Sequence, residues 1–176
     1  SARAGGLVER VRGIFPDAVF FDAVDENPGT RVCEVAAARC RAGKCDFVLG
    51  LGGGSAMDAA KVIAVLATND QPCASLFGND QYHAAPLPIV AVPTTAGTGS
   101  EVTPYSVLVD EAARAKRTVR GTALFPAVAL LDPELTVSMP RAVTIATGLD
   151  ALSQAMEGMV SRQSCPMADP LALEAV

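Results

Sequence analysis

Twice in this chain an unbroken apolar run leads straight into a turn built of glycine and hydroxyl residues. Phe47-Val48-Leu49-Gly50-Leu51 ends in Gly52-Gly53-Gly54-Ser55, and Pro88-Ile89-Val90-Ala91-Val92-Pro93 runs into Thr94-Thr95-Ala96-Gly97-Thr98-Gly99-Ser100. Short continuous apolar runs of this kind read as strands buried on both faces, as in a parallel sheet. Parallel neighbours need crossover helices, and helical patterns stand where such helices belong. In residues 31–42, Val32, Ala36 and Cys40 fall at i, i+4 and i+8, one face of a helix. Residues 56–68 repeat the helical pattern. Strand and helix patterns in alternation predict an α/β fold.

The other elements follow the same logic. Ala18-Val19-Phe20-Phe21 reads as a short strand, Asn27-Pro28-Gly29 as a turn, and Thr30 as a cap for the helix after it. Gly43 and Asn69-Asp70 are helix stops. Residues 106–109 and 117–120 read as more exposed strands, joined around Asp110-Glu111 as a hairpin. Val128 to Leu131 is a last apolar strand, closed by Asp132-Pro133. From Ala142 onward no strand pattern occurs; residues 151–160 and 171–176 are helical, with Leu152, Ala155, Met156 and Met159 as an apolar stripe. The expected organisation is an α/β domain over 1–140 and the opening helices of a helical domain over 141–176.

Composition removes several function classes. Half of the 176 residues are apolar, too many for a disordered chain. The formal net charge is −5, without the basic footprint of a nucleic-acid binder. No apolar run reaches the ~18 to 20 residues of a membrane span, and Ser1–Gly6 lacks a signal-peptide core. The five cysteines are odd in number and form no C-x-x-C, which fits reduced thiols and a cytoplasmic location. His83 is the single histidine, so a two-histidine metal site within the chain is ruled out. It lies in the polar stretch Asn79–His83 and reads as a solvated loop residue.

The chemistry concentrates in the two turns. A helix N-terminus presents unpaired N–H groups and a partial positive charge. Glycines let the backbone approach a ligand, so Gly52–Ser55 before a helix suits a phosphate. Ser55 can cap the helix or donate to a phosphate oxygen. Met57 stands where G-x-G-x-x-G needs its third glycine, and no Gly-Lys-Ser/Thr occurs, so neither familiar phosphate-loop pattern applies. Residues 94–103 add five hydroxyl side chains and two glycines after a second strand end, where open α/β sheets place ligands. Further on, Asp150, Gln154 and Glu157 share a helix face at i, i+4 and i+7. A carboxylate and an amide oxygen one turn apart suit a divalent cation.

Gly52-Gly53-Gly54-Ser55-Ala56-Met57-Asp58-Ala59-Ala60-Lys61, the Pro93–Thr103 turn, Leu131-Asp132-Pro133-Glu134-Leu135-Thr136 and Ala146-Thr147-Gly148-Leu149-Asp150-Ala151-Leu152 occur in that order. In order and spacing they resemble the iron-containing (group III) alcohol dehydrogenase family. The likeness runs from about Phe20 to Val176. It implies a Rossmann-like parallel-sheet dinucleotide-binding domain followed by the start of an all-helical domain, with the active site between them. It implies that Gly53, Gly54, Ser55 and Asp58 hold the pyrophosphate region of NAD or NADP. Thr94, Thr95 and Thr98 would line the cofactor further along, Asn27 would contact it, and Lys116 would lie near its ribose. Asp150 matches the first metal ligand of the family, for iron or zinc. The family's Asp-x-x-x-His pair reads Asp150-x-x-x-Gln154 here, and an amide oxygen is a weaker ligand than imidazole. The family's other metal histidines fall beyond Val176. Its first strand, whose acidic residue helps select NAD over NADP, falls upstream of Ser1.

The implied reaction is hydride transfer between an alcohol and an aldehyde or ketone, assisted by a divalent metal in the complete enzyme. Gln154 would then sit beside the substrate oxygen. These 176 residues alone are expected to be inactive. Two alternatives stay open: a glycerol dehydrogenase-like or dehydroquinate synthase-like reaction on the same scaffold, or a non-catalytic nucleotide-binding module. The expected partners are the dinucleotide and a small alcohol or aldehyde, with no nucleic acid and no membrane. A homodimer also stays open.

Overall fold

The computed structural model describes residues 6–176. The expected lack of a signal peptide rests on Ser1–Gly6, nearly all of which lies outside the described residues. Helices are α1 (Leu7–Ile14), α2 (Thr30–Ala42), α3 (Gly54–Thr68), α4 (Arg141–Val160) and α5 (Asp169–Ala175). Strands are β1 (Val48–Gly52), β2 (Gly78–Asn79), β3 (Ile89–Pro93), β4 (Tyr105–Asp110), β5 (Ala115–Arg120) and β6 (Val128–Ala129).

The strands form two three-stranded sheets. The first is parallel, in the order β1-β3-β6. The second has the order β2-β5-β4, with β4 and β5 antiparallel in the expected hairpin and β2 parallel to β5. Helix α3 crosses from β1 toward β3 and packs against β1, α2 and β4. The close fit to β1 depends on Gly50: a Cβ there would lie 2.9 Å from the Ala60 Cβ and 3.2 Å from the Met57 Cα. Met57, Ala59, Ala60 and the run Val62–Leu66 are buried, so α3 is apolar on nearly every side. The core joins it to Cys33, Ala36, Ala37 and Cys40 of α2, and to Cys73, Leu76, Leu108, Val119 and Leu124.

Several local expectations need correction. Ala18–Phe21 forms no strand, because no strand among the described residues pairs with it. The Arg12 and Arg39 guanidinium groups lie over the Phe20 and Phe21 rings instead. Thr30 does not cap α2; it is the first helical residue, and Gly29 holds the cap position. The capping acceptor comes from the hairpin, where the Glu111 carboxylate accepts from the Thr30 N–H at 3.2 Å and the Arg31 N–H at 3.4 Å. Ser55 is likewise inside its helix, one residue past the first, and Gly53 is the cap. At the end of α2, Gly43 is right-handed and Lys44 takes the left-handed conformation (φ 51°). The last strand closes at Ala129 rather than Leu131.

Helix α4 begins ten residues before the expected 151 and packs on α5, and neither helix buries a residue fully. Leu152, Ala155 and Met159 are half-buried as the stripe predicts, whereas Met156 is 52% exposed. His83 is an exposed loop residue, as expected. Among the described residues no helix is long and apolar enough to cross a membrane.

Candidate dinucleotide site

The register of β1 and β3 sets the site. Gly52 pairs with Pro93 at the carboxyl ends of both strands, so the two glycine-rich turns leave the sheet side by side. The Thr94 N–H donates to the Gly52 carbonyl at 2.8 Å and fastens the second turn to the first. Gly52 has φ 151°, a backbone region that L side chains rarely adopt. Beyond it the turns face each other closely. A Cβ on Gly53 would lie 3.3 Å from Thr95 Oγ1, and one on Gly54 3.1 Å from Thr98 Cγ2. The structure therefore brings Gly53, Gly54, Thr94, Thr95 and Thr98 together.

Two hydroxyls here have spare hydrogen-bonding capacity. Ser55 Oγ accepts the backbone N–H of Asn27 at 3.2 Å, and its own proton remains to be donated elsewhere. Asn27 holds the left-handed conformation (φ 55°) that brings its N–H to Ser55. Thr95 Oγ1 is buried and has no hydrogen-bond partner. An orphaned buried hydroxyl costs stability unless a ligand satisfies it.

Asp58 has a different place from its neighbours in the motif. Its Oδ1 accepts from Ser100 Oγ at 2.6 Å and its Oδ2 from the Val107 N–H at 2.9 Å. Burial raises its carboxyl above the ordinary range, against the lowering by those two bonds and by Lys61. Both oxygens are thus engaged by protein, and the side chain ties α3 to the second turn and to β4. Lys116, exposed on β5, pairs with Val109, which itself bridges to Gly29. The hairpin so places Lys116 one strand away from the Asn27–Gly29 loop.

Asp150 and Gln154 stand on α4 at the edge of the second turn. Gln154 Nε2 donates to Asp150 Oδ2 at 2.9 Å and to the Gly97 carbonyl at 3.4 Å. A Cβ on Gly97 would overlap the Thr147 carbonyl, so loop and helix meet backbone to backbone. Glu157, from the same predicted face, accepts from Ser153 at 3.4 Å. Among the described residues no group of three or more histidine, cysteine or acidic residues is placed to hold a metal. Asp150 and Gln154 supply two donors where catalytic sites usually have three protein ligands, so this chain's own residues do not complete a metal centre.

Sequence reasoning passed over Lys61 as a functional residue. It is fully buried and donates to Ser100 Oγ at 3.0 Å and the Tyr105 carbonyl at 2.6 Å. Its signal was legible: one cation inside the stretch Ala59–Leu66, otherwise wholly apolar. Ser100, which links Asp58 to Lys61, had no comparable mark.

The model of the iron-containing alcohol dehydrogenase family matches residues 1–133. Long-chain-alcohol dehydrogenase 1 of Geobacillus thermodenitrificans is 47% identical over 161 residues, covering 90% of this chain and 40% of the relative. NAD-dependent methanol dehydrogenase of Bacillus methanolicus is 35% identical, with 97% and 45% covered. Sulfoacetaldehyde reductase from Bifidobacterium kashiwanohense, solved with NAD+, superposes with a TM-score of 0.90 at 39% identity, over 97% of this chain and 46% of that one. The chain spans less than half the length of these relatives. Together with the paired turns on a parallel sheet, they establish that this chain belongs to the iron-containing alcohol dehydrogenase family.

Proposed function

We propose that residues 1–140 form the dinucleotide-binding part of an NAD(P)-dependent alcohol or aldehyde oxidoreductase, and that 141–176 open the helical part that completes the active site. The observation that carries this reading is the pair of glycine-rich turns, side by side at the carboxyl ends of β1 and β3, with the buried Thr95 hydroxyl left without a partner. The NAD+ complex of the Bifidobacterium relative supports the cofactor class.

The residues fit a dinucleotide. The first amides of α3, at Gly54 and Ser55, receive the pyrophosphate. Ser55 donates its free proton to a phosphate oxygen, held in aim by Asn27. Thr95 supplies the donor it cannot use internally, and Thr98 packs directly against Gly54 and braces the first turn. Asp58 turns its carboxylate away into Ser100 and Val107, which spares the pyrophosphate a like charge. When bound, the nicotinamide supplies the hydride acceptor or donor for an alcohol–carbonyl interconversion. Gln154, whose Nε2 is engaged by Asp150 and the Gly97 carbonyl, offers its Oε1 to a substrate hydroxyl. No step is assigned to a metal, since Asp150 and Gln154 alone do not hold one. The free cysteines accord with a reducing, cytoplasmic compartment.

Titration calorimetry of the chain with NAD and NADP, with and without zinc or ferrous ion, tests the reading. Micromolar binding that ignores metal is the expected result. Absence of binding at millimolar dinucleotide would sink it.

A further inference from the structure

The least economical residue in the core is Lys61. A fully buried ammonium loses its hydration, and an apolar side chain of equal volume would pack there at lower cost. What Lys61 gains is a particular set of partners. Nζ donates to Ser100 Oγ at 3.0 Å and to the Tyr105 carbonyl at 2.6 Å, with Asp58 Oδ1 at 3.9 Å. Ser100 in turn donates to Asp58 at 2.6 Å.

Each partner lies where the second turn rejoins the framework. Gly97 and Gly99 have φ 118° and 65°, so two of the three residues before Ser100 carry no side-chain restriction. Ser100 is the first buried residue after that stretch. Its N–H donates to Thr98 Oγ1 at 3.4 Å, and Thr98 packs directly against Gly54. A shift of Ser100 therefore passes through one hydrogen bond to the contact between the two turns.

We infer that Lys61 is a positioning residue for the dinucleotide site: by holding Ser100 and the Tyr105 carbonyl it fixes Thr95 and Thr98 against Gly53 and Gly54. The assignment rests on the dinucleotide reading above. Lys61 touches no part of the cleft itself and acts through Ser100. Its cation also adds positive charge to the helix whose first amides receive the pyrophosphate. The charged groups facing it are Asp58 on its own helix and Glu101 next to Ser100; β4 contributes only the neutral Tyr105 carbonyl. Burial, opposed by Asp58 and Glu101, lowers its ammonium to about 8.

The test measures the Kd for NAD by calorimetry from pH 6.5 to 9.5, in the complete natural protein and in Lys61→Met, Ser100→Ala and the double variant. Lys61→Met is expected to weaken NAD binding by roughly tenfold or more, the loss of a charge-assisted hydrogen bond. The double variant should be little weaker than Lys61→Met alone, because both changes break one linkage. Parent affinity should fall as pH rises through about 8, and Lys61→Met should flatten that profile, which a merely space-filling lysine would not do. A folded Lys61→Met with Kd within about twofold of the parent and the same pH profile overturns the assignment. Should Lys61→Met fail to fold, a flat parental profile, or Ser100→Ala binding as the parent does, overturns it instead. A parent that binds no NAD overturns the dinucleotide reading itself, and this inference with it.

Discussion

Glu111, in the turn of the β4–β5 hairpin, caps helix α2 by accepting the backbone N–H of Thr30 at 3.2 Å, across eighty-one positions of sequence. The Thr30 hydroxyl donates to the same carboxylate. Gly29 makes room for it, since a Cβ there would overlap Glu111 Oε1. The carboxylate also lies at the positive end of the helix. Replacing Glu111 with Ala should cost about 1 kcal/mol, the usual loss for a helix cap. Urea unfolding of parent and variant measures it. The hydrogen bond from Thr30, followed by those from backbone amides, lowers the Glu111 carboxyl below its ordinary value. Its stabilisation is therefore present above the unfolded carboxyl pKa and lost as pH falls through the lower folded value. The variant's deficit should shrink on acidification.

Lys61 predicts the opposite limb of the stability curve. Burial lowers its ammonium to about 8 from an ordinary 10.5. Between those values the unfolded chain binds more protons than the folded one, so stability should rise with pH there, by at most about 1.4 kcal/mol per pH unit. Denaturant midpoints from pH 7 to 10.5 check it. Lys61→Met should remove that rise.

The glycine faces predict a separation of binding from folding. Gly54→Ala puts a methyl 3.1 Å from Thr98 Cγ2, a contact relieved by a shift of a few tenths of an ångström. The helix start keeps its form, so the melting temperature should change little. The methyl displaces Thr98, which braces the turn proposed to receive the pyrophosphate, and NAD affinity should fall roughly tenfold or more. Calorimetry alongside thermal melts distinguishes the two effects.

Thiol reactivity should sort by burial. Cys165 is exposed, whereas Cys33 and Cys73 are fully buried. The Cys73 thiol and then desolvation push the Cys33 thiol far above its ordinary range, and burial pushes Cys40 up to about 11. Iodoacetamide near pH 8 should label Cys165 first, and Cys33 and Cys73 only on unfolding. Mass spectrometry of a labelling time course reads the order.

The parts of this fold visible in sequence are those whose cause is local. The apolar runs ending at Leu51 and Pro93 are strands because their residues favour burial, and the turns after them can be read from their glycines. The hairpin around Asp110 was legible for the same reason: Asp110 accepts from the Ala112 and Ala113 N–H groups within its own turn. The misreadings arose where a distant residue decides. Thr30 looked like a cap because its type favours one, and only the folded hairpin delivers Glu111 to that place. Phe20 and Phe21 looked like strand because apolar runs do, yet a strand needs a partner. In the candidate site, Gly53, Gly54, Thr95 and Thr98 could be picked out by type, but the inward turn of Asp58 could not. Which way a carboxylate faces depends on Ser100 and Val107, some forty and fifty residues further on.

The meeting of Gly97 with Thr147 has a mechanical corollary. With no side chain between them, the second turn and α4 form a joint without clearance, and φ 118° at Gly97 leaves no ready conformation for a larger residue. Any rocking of α4, which carries Asp150 and Gln154, must push directly on the segment bearing Thr95 and Thr98. In this geometry the helix that carries Asp150 and Gln154 and the turn that carries Thr95 and Thr98 work as one lever, and the fulcrum is a single hydrogen atom on Gly97.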